Sequence, residues 1–532
     1  MRKYIIIFCT VLSMSGSLNY GQITPEEKGI QAITLNAIKA QLGFLASDWT
    51  EGRAAGEKGE YISSDYIASI LQLYGVKPGG DLFPNKGSAV STANDERSYF
   101  QNFVLLKTQP GEEQILKVKS TEGTAVKTTS FTYGIDYYAR SSSDIEIEAP
   151  VVFVGYGFKN DKLKYNDLFK VDFKGKFILK INGSPAFAQN LLSSAELSAS
   201  VSDFENQAKA GGALGIIEVY PKLNVIGVPS RKDFNNLSPA ENNPRPPISN
   251  AVYSIPGKNI PDNLLKIIIS IKAANEIIKG TGMGIDDYLK KADANTPFSM
   301  TSMNGKSIYL KSTIKTTSVA VRNVIGIIEG NNPDQVIVLG AHYDHLGMNN
   351  GIIWNGADDN GSGTVGVLTI SKAIIETGIK PEKTIVFALW TAEEEGLLGS
   401  RYWVQNPTLP LKNIRLNVNF DMISRYISVE EPKKVTMTYT SSCAGFKDIT
   451  VANLKKYNID LVVDYQPSAD PPGGTDHRSF VAAGIPIMRF KPGHREEYHT
   501  PQDEIGTINW DIMEKIIKIS FTNIWDLANS NW

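Results

Sequence analysis

The chain has 532 residues, 42% of them hydrophobic and 21% charged, with a formal net charge of -2. That length supplies two or three folding units with ample core. The balanced charge argues against a nucleic-acid or acidic-membrane partner, because binding phosphates needs a concentrated basic field.

Residues 1–22 place Arg2 and Lys3 before an apolar stretch at 4–12, followed by small and polar residues up to Gly21. This is the layout of a secretory signal peptide whose apolar part is too short to span a bilayer, and removal is expected near Gly21. The expected location is therefore secreted or periplasmic. No later stretch approaches the roughly 18 uninterrupted apolar residues of a membrane span. The two cysteines are Cys9 and Cys443, and only Cys443 survives such a cleavage, which leaves no intrachain disulfide.

Residues 32–48 (AITLNAIKAQLGFLASD) and 59–74 (GEYISSDYIASILQLY) carry apolar positions at helical spacing and are expected as helices packed on a sheet. Between them, WTEGRAAG at 49–56 reads as a turn-rich link with Glu51 and Arg53 exposed, and YFQNFVLL at 99–106 is a strand candidate. From about residue 109 short strand-like runs appear at 150–156, 176–181 and 214–220, with a helical stretch at 194–210. A Pro/Asn-rich loop follows at 233–249. Order resumes at 251–255, and residues 259–281 read as a single helix. Strands are expected again at 307–314, 320–330, 336–339, 384–390, 416–420 and 485–490, with helices at 363–376 and 510–529. Alternation of strand, helix and strand points to an α/β fold: a mixed, largely parallel central sheet flanked by helices, with a smaller β-rich unit inserted.

Each of the last four strand runs leads straight into charged or imidazole residues, which puts chemistry at strand ends, where ligands bind in open α/β sheets. All five histidines, His342, His345, His477, His494 and His499, fall beside these acidic motifs. His342 directly follows a strand, and Asp344 is placed to accept from its second ring nitrogen, as carboxylates near metal-bound imidazoles do. Asp358 and Asp359 share a Gly-rich turn, GADDNGSG; side chains of consecutive residues diverge, so one of the pair is a ligand. A plain Asp/Gly turn is the alternative. In Glu393, Glu394 and Glu395 a metal-bound carboxylate beside a free one would supply a ligand and a general base from one stretch of backbone, whereas a solvated acidic turn is the bland reading. Asp421 ends a strand. His499 follows Tyr498, a phenol able to stabilise an oxyanion or merely to pack. His345, His477 and His494 read as supporting or rim residues. Five N/O ligands without cysteine suit a pair of Zn²⁺ ions, with Co²⁺ or Mn²⁺ as substitutes.

In order, AHYDH, GADDNGSG, AEEEGLLGS, NFDMI and EYHTPQD resemble the co-catalytic dizinc exopeptidases, a family that includes secreted bacterial aminopeptidases, glutamate carboxypeptidases and, more distantly, glutaminyl cyclases. The resemblance covers residues 336–503. It also touches the N-terminal block, and residues 109–296 look like the protease-associated domain inserted in that fold. It implies four divisions: a signal peptide at 1–21, an N-terminal part of the peptidase domain at 22–108, the insertion at 109–296 and the catalytic domain at 297–532. It further implies Asp359 as the bridging metal ligand, His342 and Asp421 on one zinc ion, Glu394 and His499 on the other, Glu393 as general base and Tyr498 steadying the tetrahedral intermediate. One departure is Thr475 in GGTDH, where many relatives have serine. The expected function is aminopeptidase action on peptide substrates. A glutamate-type carboxypeptidase or dipeptidase, which requires basic side chains near the cleft, stays open, as does a metal-free receptor on the same scaffold. The insertion could shape the cleft, gate substrate length or pair two chains into a homodimer.

Overall fold

A computed structural model describes residues 23–83, 96–141, 143–168, 170–221, 251–257, 264–294, 303–349, 351–493 and 496–532. The expected signal peptide with Cys9, the loop at 233–249 and His494 lie outside the described residues.

The strands that build the two cores are, in chain order, β1 (Phe100–Glu122), β2 (Tyr137–Arg140), β3 (Ile145–Phe153), β4 (Phe177–Ile181), β5 (Gly215–Val219), β6 (Leu265–Ile269), β7 (Lys306–Ile328), β8 (Asn332–His342), β9 (Lys383–Trp390), β10 (Ile414–Asn419), β11 (Lys434–Thr440), β12 (Val462–Ser468) and β13 (Ile487–Lys491). They run in the order β12-β11-β13-β10-β8-β9-β7-β3-β4-β5-β6-β2. The four at the heart of the larger half, β9, β8, β10 and β13, are mutually parallel, so their carboxyl ends share one rim. Antiparallel β7 and β11 flank them, which makes the sheet mixed.

Alternation along these strands explains why both sheet faces are covered. Ile337 and Leu339 of β8, with Ile385, Phe387 and Leu389 of β9, join the core beneath the helices Leu35–Leu45, Lys58–Leu73, Gly363–Glu376 and Trp510–Asn529. Val336, Val338, Val386, Ala388 and Trp390 point the other way, against Trp403 and Phe480. Strands buried on both faces read as continuous apolar runs, as these do.

A second core surrounds β2–β6 and includes Phe153, Phe177, Leu179, Ile217 and Ile267. The two halves share a ribbon. β1 and β7 pair antiparallel from Phe100↔Val324 to Ser120↔Lys306, with one irregularity at Ser312/Ile314. The far end of this ribbon gives Leu116, Val118, Ile308 and Leu310 to the second core, while Val324 lies in the first. The expected boundary at residue 109 falls inside β1, where Gln109 pairs with Lys315.

Two expectations fail. Residues 259–281 are not one helix: β6 pairs in parallel with β5, and among the described residues of this stretch only Ile271–Ile278 is helical, its start capped by the Ser270 hydroxyl, which accepts from Ala273 N at 3.2 Å. A short run of consecutive isoleucines fills a doubly covered strand, and periodicity alone does not distinguish that from a buried helix. Arg53 is not exposed either, with only 1% of its surface accessible; its partners belong to the site.

Candidate metal centre

His342 ends β8, and the chain then turns at the shared rim. Its Nε2 lies 3.4 Å from Asp359 Oδ1 and 4.0 Å from Glu393 Oε2. Its Nδ1 donates to the Asp344 carbonyl at 3.2 Å. The Asp344 carboxylate was expected on that nitrogen; it instead accepts from the backbone N–H of Glu393 and Glu394, at 3.1 and 3.2 Å. It therefore fixes the acidic turn after β9, while its Oδ1 stays 3.7 Å from His342 Nδ1.

The Asp358/Asp359 pair divides as consecutive side chains must. Asp358 turns inward to the Ser424 hydroxyl and backbone N–H, 2.5 and 3.0 Å away, with Arg425 Nε at 3.5 Å. Asp359 faces the rim, its Oδ1 toward His342 and its Oδ2 3.1 Å from His499 Nε2. The turn is held by Asp503, whose two oxygens accept from the N–H groups of Asp358 and Asp359, both at 2.9 Å.

Glu394 Oε2 lies 3.3 Å from His499 Nε2, and Glu394 Oε1 lies 2.9 Å from His345 Nδ1. Ligand-type atoms of His342, Glu393 and Asp421 fall within 4.8 Å of one another, as do those of His345, Asp359 and Glu394. All five residues expected as ligands, together with Glu393, thus converge. Tyr498 stacks on His499 with ring centroids 3.8 Å apart. Burial, with the charges of Asp359 and Glu394, pushes its phenol far above the usual range and keeps it protonated. His477 stays apart from the cluster, its Nε2 on the Pro472 carbonyl at 3.2 Å.

Two participants carried no clear signal. His345, read as a loop support, is buried against Glu394 and shares the cluster. Arg53 sends Nε to Tyr343 O at 2.7 Å, Nη1 to Leu45 O at 2.5 Å and Asn355 O at 2.7 Å, and Nη2 to Gly356 O at 2.9 Å. Its own carbonyl accepts from His345 N at 3.2 Å. One guanidinium thereby ties the loop bearing His342 to the loop bearing Asp359. Backbone strain marks the same place: Arg53, Ala392, Met422 and His499 all have φ between 52° and 60°, and each belongs to or adjoins a residue of the cluster.

Does this arrangement fit metal ions? Asp359, Glu393, Glu394 and Asp421 occupy one small space. Burial, then repulsion from Glu394, Asp476 and Asp421, drives Glu393 well above the normal carboxylate range, with His342 opposing. Among the described residues both ring nitrogens of His499 and Nε2 of His345 are buried without a well-formed hydrogen bond, although His499 Nε2 sits close to Asp359. Clustered carboxylates with unsatisfied imidazole nitrogens and no thiolate are a cation site of the N/O type that zinc accepts.

Residues 323–524 match Peptidase family M28. Among curated relatives, a probable leucine aminopeptidase 2 of Aspergillus oryzae is 34% identical over 172 residues, covering 31% of this chain and 32% of that protein. Leucine aminopeptidase 2 of Arthroderma otae is 29% identical over 221 residues, 39% of this chain and 42% of the relative. The match thus spans about a third to two-fifths of these relatives. An aminopeptidase from Aneurinibacillus sp. strain AM-1 shares the fold with a TM-score of 0.57 at 17% identity, over 95% of this chain and 97% of that one. BSAP, a zinc aminopeptidase from Bacillus subtilis, does so at 0.51 and 20%, over 94% and 96%.

Proposed function

We propose that this chain is a secreted zinc-dependent exopeptidase, an aminopeptidase that removes N-terminal residues from peptides. The observation that carries the reading is the convergence of His342, Asp359, Glu394, Asp421 and His499 around Glu393 at the carboxyl rim of four parallel strands. Two zinc ions would be held by His342 and Asp421 on one side and by Glu394 and His499 on the other, with Asp359 between them. When bound, they would polarise the peptide carbonyl and lower the pKa of water.

The chain's own residues do the rest. Glu393 takes a proton from the attacking water on its carboxylate and returns it to the leaving amine nitrogen. Tyr498, protonated and braced on His499, donates toward the oxygen on which negative charge develops. Asp344 holds the turn that carries Glu393 and Glu394, while Asp503 and Arg53 hold the turn that carries Asp359, so ligand and base share a rigid frame. Residues 109–296 are read as the accessory insertion. No helix among the described residues is long and apolar enough to cross a membrane, and export would be directed by the N-terminal leader.

The test is a metal count on purified protein together with hydrolysis of aminoacyl-nitroanilides beside N-blocked peptides with free carboxyl ends. Bound zinc and cleavage of the free-amine substrates is the expected result. Cleavage restricted to N-blocked peptides would overturn the aminopeptidase assignment, and absence of bound metal would overturn the catalytic one.

A further inference from the structure

The helix Lys58–Leu73 brings a carboxyl group with no exposed surface, that of Glu60, up to the ends of β8 and β9. Its Oε1 contacts the Tyr343 hydroxyl at 2.9 Å and the Thr391 hydroxyl more closely, and its Oε2 accepts from Gly56 N at 2.5 Å. Tyr343 follows His342 in the chain, and Thr391 stands two residues before Glu393. One buried side chain therefore grips both the strand end that presents a candidate metal ligand and the strand end that presents the base.

The form of this carboxyl follows from the protons available. The Tyr343 hydroxyl also lies 2.6 Å from the Arg322 carbonyl, which has no proton to give, so the single proton of the phenol goes there. The 2.9 Å contact of Tyr343 with Glu60 then needs a proton from Glu60 Oε1. Thr391 donates to that same oxygen and Gly56 N–H to the other, and every contact is filled. An ionised Glu60 either leaves two oxygens facing each other without a proton or draws the Tyr343 proton away from the Arg322 carbonyl, at the cost of a hydrogen bond. Burial pushes the carboxyl in the same direction, up to about 7, against the hydrogen bonds of Thr391, Gly56 and Tyr343 and the charge of Arg322. The charged and titratable neighbours are engaged elsewhere. Arg322, on β7, pairs with Asp65 at 2.5 Å, and Tyr61, on the same helix as Glu60, donates to the Ala320 carbonyl at 2.7 Å. In the adjoining turn Glu51 meets Lys58, and Arg53 spends its donors on backbone carbonyls.

We infer that Glu60 is a positioning residue: as an un-ionised carboxylic acid it locks the end of β8 to the end of β9 and so sets the spacing between His342 and Glu393. Its neutrality suits the place, because one more fixed negative charge close to the acidic turn would add to the repulsion there. The catalytic part of this inference rests on the peptidase reading, whereas the neutral form does not.

The experiment compares wild type with Glu60→Gln and Glu60→Ala. The amide is neutral and keeps a donor for Tyr343 and an acceptor for Gly56 N. With leucyl-nitroanilide as substrate, Glu60→Ala should lower kcat roughly ten- to a hundredfold, with KM within about twofold and zinc content unchanged. Glu60→Gln should bring kcat back to within about threefold of wild type. Thr391→Val cuts the β9 side of the lock with almost no change of volume and should lower kcat roughly three- to tenfold, which keeps the test in force where Glu60→Ala does not fold. A loss carried by KM instead of kcat, or Glu60→Gln as impaired as Glu60→Ala, overturns the positioning role. The neutral form is read without turnover, by denaturant unfolding between about pH 4 and about pH 8. A carboxyl raised on folding contributes fully below its unfolded value, and that contribution is lost as pH rises through its folded value. Wild type should therefore lose stability relative to Glu60→Gln across this window, by roughly a hundredfold or more in the unfolding equilibrium constant. Parallel curves overturn the neutral form. Diverging curves in a chain that cleaves nothing would keep the neutral acid and refute the peptidase reading.

Discussion

Each half of the molecule buries a cluster of polar groups, and the two are built differently. In the second core Asp167 is almost enclosed, yet its Oδ2 accepts from Tyr156 N and Phe158 N at 3.0 and 3.2 Å, and its Oδ1 accepts from the Tyr288 hydroxyl at 3.3 Å. The chain itself supplies every donor this carboxylate needs. At the rim of the first core the carboxylates face one another, and imidazole nitrogens are left without hydrogen bonds. Burial of charge is therefore no mark of function by itself. A closed polar cluster holds a fold together, whereas an unsatisfied one calls for a ligand.

That contrast can be broken or sharpened by four measurements. The largest effect belongs to the open cluster: Glu393→Gln should retain zinc, by metal count, and lose at least about a thousandfold in kcat, within the range of general acid–base contributions. Near-normal turnover would remove Glu393 from the mechanism. Next, Arg53→Met leaves the carbonyls of Leu45, Tyr343, Asn355 and Gly356 without their donor. It should cost about 3 kcal/mol or more in denaturant unfolding and weaken zinc retention against a chelator by roughly ten- to a hundredfold.

The closed cluster should answer to pH rather than to metal. Burial raises the Asp167 carboxyl to about 6, so between about pH 4 and pH 6 the unfolded chain gives up a proton that the folded chain keeps. Its contribution is thus greatest at low pH and is lost as pH rises through that window, levelling off above it. Asp167→Asn should flatten this part of the stability curve, a change of up to about 3 kcal/mol between pH 4 and 7, and chelation of metal should leave it unaltered. The smallest effect is outside both clusters: the ion pair of Lys58 with Glu51, at 3.3 Å and largely solvated, should cost under about 0.5 kcal/mol when Lys58 is replaced by Ala.

The rim was legible in the sequence because its strands are buried on both faces and therefore read as unbroken apolar runs that stop at a charged residue. His342, Asp421 and Glu393 declare themselves in this way. The choice between Asp358 and Asp359 is not local. It is settled by Ser424, Arg425 and Asp503, more than sixty residues away. Arg53 reads as exposed in the sequence because all its acceptors are backbone carbonyls, and any residue type can provide those. The sequence of β6 reads as helix because a five-residue apolar run carries no period of its own.

The β1–β7 ribbon has a consequence for how the molecule comes into being. Ser120 pairs with Lys306, 186 residues later. At ordinary translation speeds of about 5–20 residues per second, the earlier strand waits roughly 10–40 seconds for its partner to be synthesised. During that interval the N-terminal helices cannot settle on a finished sheet, and a 23-residue edge stands open to other nascent chains. Successful biogenesis thus depends on keeping that edge sheltered until the polypeptide returns to it.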